Sequence, residues 1–159
     1  EDFPCCEKRE ALKLFPCSGM LPSLLAQLKG SDVDPTVKLS VLEELCEGLA
    51  LANEEQAHTL NLAECGTALA QCLATGPSQD IMLLAARAIV NIVEAFPGSS
   101  RSLLGNDELV MNLVTKISTI VDFDVTEQCL SALSKLSRTV DHSARILSHD
   151  GAAAVLTHI

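Results

Sequence analysis

Apolar residues recur along this chain at three- and four-residue intervals, the spacing that lines one face of a helix, and the stretches that carry the spacing recur in turn. Val41-Leu42-Glu43-Glu44-Leu45-Cys46-Glu47-Gly48-Leu49 reads against Leu84-Ala85-Ala86-Arg87-Ala88-Ile89-Val90-Asn91-Ile92. Both read against Gln128-Cys129-Leu130-Ser131-Ala132-Leu133-Ser134-Lys135-Leu136. The alignment puts Leu45, Ala88 and Ala132 in one register, at separations of 43 and 44 residues. A second series sets Leu24, Leu69, Leu109 and Leu156 at separations of 45, 40 and 47. Strand-like alternation of period two is absent from these stretches, so the pattern predicts an all-α chain.

A helical repeat with a period in the forties is the signature of armadillo- or HEAT-type solenoids, in which each unit buries its apolar face only against its neighbours. Each unit divides into a short, a middle and a long helix. In the first unit, 8–15 is the short helix, Gly19-Met20-Leu21-Pro22 opens the middle one, and Leu21, Leu24, Leu25 and Leu28 form its face. Asp34 is the expected N-cap of the long helix, with Pro35 in the first helical position, where its missing N–H costs nothing. The apolar stripe there is Val37, Val41, Leu42, Leu45 and Leu49. The second unit is expected to place its helices at 53–60, 65–74 and 79–96, and the third at 99–104, 107–120 and 124–139. A fourth begins at 142–148 and continues from Gly151. The predicted fold is an armadillo-type right-handed α-solenoid of about three and a half repeats. Residues 1–7 form a tail, and repeats span approximately 8–51, 53–96, 99–140 and, in part, 142–159. The last stretch, Ala152-Ala153-Ala154-Val155-Leu156, lacks the polar face of a solenoid cap, which points to a piece of a longer chain.

Composition narrows the function more than the fold. The chain of 159 residues has 21 acidic and 11 basic side chains, a net charge of −10. That disfavours nucleic acid, whose affinity comes from Lys and Arg on phosphates, and favours basic or mixed-charge protein partners. Of the seven cysteines, Cys46, Cys72 and Cys129 fall on apolar helical stripes, where a reduced thiol acts as a small hydrophobe. The odd count and irregular spacing fit a reducing compartment. No segment has the run of roughly 18 apolar residues that a membrane span needs.

Candidate chemistry is sparse. Cys5, Cys6 and Cys17 have no histidine nearby to serve as base, and nucleophilic thiols need one or a lowered pKa. His149-Asp150 reads as a helix-end histidine followed by a capping aspartate. The paired spacings of zinc ligands are missing, as is a glycine-rich phosphate loop. Glu43-Glu44 and Glu54-Glu55 are adjacent on helices, so their carboxylates point apart. No cofactor, metal or small-molecule substrate is expected.

What remains is surface. On the long helix of each unit, positions four apart share a face. They read Ser40, Glu44 and Gly48, then Leu83, Arg87 and Asn91, then Glu127, Ser131 and Lys135. This ladder is expected to form a mixed-charge groove for an extended peptide or a folded partner, with Arg87 and Asn91 as its sharpest contacts. Nuclear-import adaptors share the armadillo pattern and place Trp and Asn in this ladder. Asn91 matches, but Arg87, Glu44 and Ser131 stand where Trp belongs, without the aromatic walls that hold a lysine stem.

More specific runs occur at Asp80-Ile81-Met82-Leu83-Leu84-Ala85-Ala86-Arg87-Ala88, at Glu94-Ala95-Phe96-Pro97-Gly98-Ser99-Ser100, and at Asp124-Val125-Thr126-Glu127-Gln128-Cys129-Leu130-Ser131-Ala132-Leu133. Asn53-Glu54-Glu55 fits beside them. Over about 19–156 the chain resembles the N-terminal armadillo region of the ubiquitin-fusion-degradation and Kaktus-type HECT E3 ubiquitin ligases. Residues 1–18 depart from that pattern. The resemblance implies a large nuclear or cytoplasmic ligase whose catalytic thiol lies in a HECT domain outside this chain. The region here would recruit protein substrate or ubiquitin. The rival reading is a stand-alone armadillo scaffold or transport adaptor.

Overall fold

The computed structural model describes residues 19–30, 33–75, 78–149 and 152–153. The short helix expected at 8–15, Cys5, Cys6, Cys17, Asp150 and Leu156 lie outside these residues. The described chain is helical, with no strand among its elements. In order these are α1 (Met20–Leu28), α2 (Pro35–Ala50), a 3-10 helix (Glu54–Thr59), α3 (Leu62–Thr75) and α4 (Gln79–Ala95). A 3-10 turn (Pro97–Ser99) then leads into α5 (Ser100–Leu104), α6 (Asp107–Thr119), α7 (Phe123–Leu136) and α8 (Val140–Leu147).

Polar caps fix most of the helix starts. Asp34 accepts from the Thr36 amide at 2.8 Å, with Pro35 in the first turn as expected. That same amide holds the Asp34 carboxyl below its usual value. Ser78 accepts from Ile81 N at 3.3 Å and Asn106 from Leu109 N at 3.1 Å. Each removes one of the orphan donors at a helix N-terminus.

Several boundaries move by a few residues, each for a local reason. α7 starts at Phe123 rather than Asp124, because Asp122 is the side chain that accepts from Val125 N, at 3.1 Å. It ends at Leu136, and Thr139, expected as its last residue, instead caps α8 by accepting from His142 N at 3.2 Å. α3 starts at Leu62, three residues before Cys65, since the Asn61 carbonyl and side chain accept from Cys65 N and Glu64 N. Pro97-Gly98, expected as a stop, makes the 3-10 turn that feeds α5.

The long helices stack on each other, α2 against α4 and α4 against α7. The middle helices stack likewise, α1 on α3 and α3 on α6, and the short ones pair as α5 with α8. This like-on-like stacking is the α-solenoid arrangement. Leu45, Ala88 and Ala132 are each 0% exposed, so the register read from the repeat holds in space. Leu24, Leu69 and Leu109 are buried as well. α4 lies between two long helices, and Ala85, Ala86 and Ala88 keep its sides small enough for both. Burying one Leu or Ile side chain contributes about 1.5–3 kcal/mol, and one continuous apolar cluster runs from Leu21 to Ala152. Val37, expected in the stripe of α2, is instead 47% exposed, and the core begins one turn later at Val41.

Candidate partner-binding face

The ladder residues sit on α2, α4 and α7, three helices packed side by side in that order. Ser40 and Glu44 are exposed on α2, Arg87 on α4 and Glu127 on α7. Leu83, Asn91, Ser131 and Lys135 are half-buried, and Leu83 packs against the core. Gly48 is a correction. It is buried, and a Cβ there would stand 2.9 Å from Leu21 Cδ2, so it lets α1 lie close to α2 and offers nothing to solvent.

Asn91 does a job that the sequence pattern did not reveal. Its Nδ2 donates to the Cys46 carbonyl at 3.1 Å, while Cys46 Sγ donates to the Leu84 carbonyl at 3.4 Å. The two bonds run in opposite directions across the α2–α4 seam. A similar bond joins the middle helices, where Asn112 Nδ2 donates to the Ala70 carbonyl at 3.0 Å. Asn91→Leu is therefore expected to lower stability by about 1 kcal/mol, the usual net worth of such a bond. Ser40→Ala, on the exposed face, is expected to shift it by less than about 0.5 kcal/mol. Urea melts of the two variants compare them directly.

Lys135 is likewise committed, since its ammonium pairs with Glu94 of α4. Glu94 stands seven residues beyond Arg87 and so continues its stripe, one turn past where the ladder reading stopped. Two other ion pairs also join successive units. Lys29 reaches Glu64, and Arg145 reaches Asp107 at 3.2 Å. Pairs this exposed contribute little stability singly, about 0–1 kcal/mol.

Of the ladder residues, the exposed charges are Glu44, Arg87 and Glu127. A shallow cavity of about 290 Å³ opens at the C-terminal ends of α2 and α4, lined by Leu49, Ala50, Ala52, Asn91, Glu94 and Ala95. The thiols are elsewhere. Burial pushes Cys46 up to about 11, against the pull of Arg87, and Cys65 and Cys129 up to about 12. It raises Cys72 too. Such thiols are poor nucleophiles. Among the described residues no group of three or more His, Cys, Asp or Glu is placed to hold a metal ion. No single helix among them is long and apolar enough to cross a membrane.

A face of exposed charge on stacked helices suits protein contact. Residues 8–145 match the family described as E3 ubiquitin-protein ligase TRIP12-like, TPR repeats. This chain belongs to that family. It is 38% identical to the E3 ubiquitin-protein ligase UPL4 of Arabidopsis thaliana over 141 residues, 89% of this chain and 9% of the relative. Identity to UPL3 of the same plant is 29% over 142 residues, 89% of this chain and 7% of the relative. With the zebrafish (Danio rerio) E3 ubiquitin-protein ligase TRIP12 it shares 32% over 126 residues, 79% of this chain and 6% of that protein. The chain thus spans less than a tenth of the length of these relatives. No solved structure matches it. The family description speaks of TPR repeats, which are helix pairs of about 34 residues. In this chain the aligned core residues recur at 43 and 44, and a short helix precedes each middle one in the second and third units.

Proposed function

We propose that this region is an armadillo-type protein-binding module of a HECT-type E3 ubiquitin ligase, and that it recruits substrate or ubiquitin on the face of α2, α4 and α7. The observation that carries the reading is the family match over 8–145. The chemistry of the chain supports it, because the four described thiols are buried. In this reading the transfer thiol belongs to a HECT domain elsewhere in the protein. The module acts by raising the local concentration of a partner near it. A nuclear or cytoplasmic setting goes with this reading.

The test is capture by the immobilised region, comparing free ubiquitin, ubiquitin chains and cell extract. The partner it retains is then offered to the triple variant Glu44→Lys, Arg87→Glu, Glu127→Lys. Complementary charge sets partner choice and association rate, and its effect falls as salt shortens the screening length. The triple variant is expected to lose about tenfold or more in affinity, equivalent to about 1.4 kcal/mol, and to melt within about 1 kcal/mol of the parent. Unchanged capture by a folded triple variant would remove this face from the contact.

A further inference from the structure

The cavity at the ends of α2 and α4 has a chemistry of its own. Aliphatic side chains of Leu49, Ala50, Ala52 and Ala95 line part of it. Its polar groups are the Glu94 carboxylate and the Asn91 amide, and none of its lining residues is basic. Asn91 Nδ2 is engaged with the Cys46 carbonyl, which leaves its Oδ1 as the atom to accept. α2 ends at Ala50 and α4 at Ala95, so the C-terminal ends of two helices border one small space. Helix C-termini carry partial negative charge from their unpaired carbonyls and favour cations. A carboxylate, an amide oxygen and two such ends beside aliphatic side chains match a cation carried on an aliphatic stem.

The protein supplies an example of the match. Lys135, from α7, already places its ammonium on Glu94 Oε1. That bond uses one carboxylate oxygen and leaves Oε2, and the Glu94 side chain is 53% exposed. Lys135 is not among the residues lining the cavity. A second ammonium arriving through the cavity would meet the same carboxylate from the other side, sharing it with Lys135 or displacing it.

We propose that this cavity is an anchor for a lysine side chain of a bound protein segment, its stem against the lining alanines and its ammonium on Glu94 and Asn91. The proposal deepens the reading of the α2–α4–α7 face as the partner-binding one and rests on it. A cavity of about 290 Å³ is of the order of a small ligand site. The charge favours a cation: the chain carries ten more acids than bases, and the one ion pair that Glu94 makes among the described residues is with Lys135.

Amide chemical shifts of the whole 159-residue chain provide the test. The probe is a blocked pentapeptide with one central lysine in a glycine-serine background; its control carries norleucine in place of lysine. The lysine peptide is expected to shift the amides of Leu49, Ala50, Ala52, Asn91 and Ala95, and the norleucine peptide to leave them still. Glu94→Gln should weaken the lysine peptide about fivefold or more, since it removes a charge-assisted bond. Lys135→Met, which frees Glu94 of its competitor, should tighten it. If Glu94 and Lys135 merely brace α4 against α7, both variants change binding alike, and that result overturns the proposal. So do equal shifts with norleucine, or shifts confined to other residues. The partner-binding reading fails separately. Loss of partner capture in the Glu44, Arg87, Glu127 variant without any lysine site would sink the anchor and leave the face. A lysine site with capture untouched by that variant would do the reverse.

Discussion

Ala88→Arg is expected to cost about 3–5 kcal/mol, the range for a buried charge without a partner. Ala88 is 0% exposed on α4, the helix packed against both α2 and α7. Its methyl occupies a register position that recurs at Leu45 and Ala132, also at 0%. A guanidinium at a fully buried position is stripped of water, so the helices must part or the charge stays desolvated. The neighbouring position supplies the control. Arg87 is exposed, so Arg87→Ala should move stability by only about 0.5 kcal/mol. Because each unit buries its faces only against the next, a breach at α4, between α2 and α7, propagates both ways. Thermal and urea melts followed by circular dichroism read both variants. An Ala88→Arg protein that melts with the parent would mean that the register linking the three long helices is wrong.

The repeat was legible because it rests on side-chain size and polarity alone. Alanine and leucine at 3.6-residue spacing name the buried stripe whatever the neighbours are, and the 43- and 44-residue separations name the neighbours. Helix starts with a Pro behind an Asp, as at Asp34-Pro35, were legible for the same reason, since the signal is local. Starts with two candidate caps were not. Asp122 and Asp124 are equally good acceptors in sequence, and only the backbone decides that Asp122 meets Val125 N.

The face was less legible than the fold, and two ladder residues show why. Asn91 and Lys135 look like solvent contacts on a helical wheel, yet one donates to a carbonyl of α2 and the other pairs with Glu94 of α4. A wheel records direction from one helix axis and says nothing of what a neighbouring helix brings within reach. Gly48 failed for the complementary reason: the wheel points it outward, and Leu21 of α1 covers it. Glu94, which lines the cavity, stands seven residues from Arg87, but nothing in the pattern distinguishes a carboxylate beside two helix ends from one in open water. The family runs, by contrast, were legible as strings, and the match over 8–145 agrees with them.

The buried cysteines give the second large effect. Cys65 and Cys129 are 0% exposed, and burial pushes their thiols from 9.0 up to about 12. That leaves on the order of a thousandfold less thiolate at neutral pH, and the thiolate is the reacting species. Iodoacetamide labelling of the native protein, located by mass spectrometry, should therefore be slower at Cys65 and Cys129 than in the unfolded chain by about a thousandfold or more. Cys46, pushed to about 11, should follow the same order but less steeply. Adding urea through the unfolding transition should release all of them together, since they sit in one apolar cluster. The same groups set an alkaline limit. Above pH 9 the unfolded chain ionises these thiols while the folded one does not, so the folded state binds more protons and stability falls as pH rises from about 9 to about 12. Rapid labelling of native Cys65 or Cys129, or a ubiquitin thioester on either when charged E2 is supplied, would contradict both the packing of α3 and α7 and the assignment of this region to binding rather than transfer.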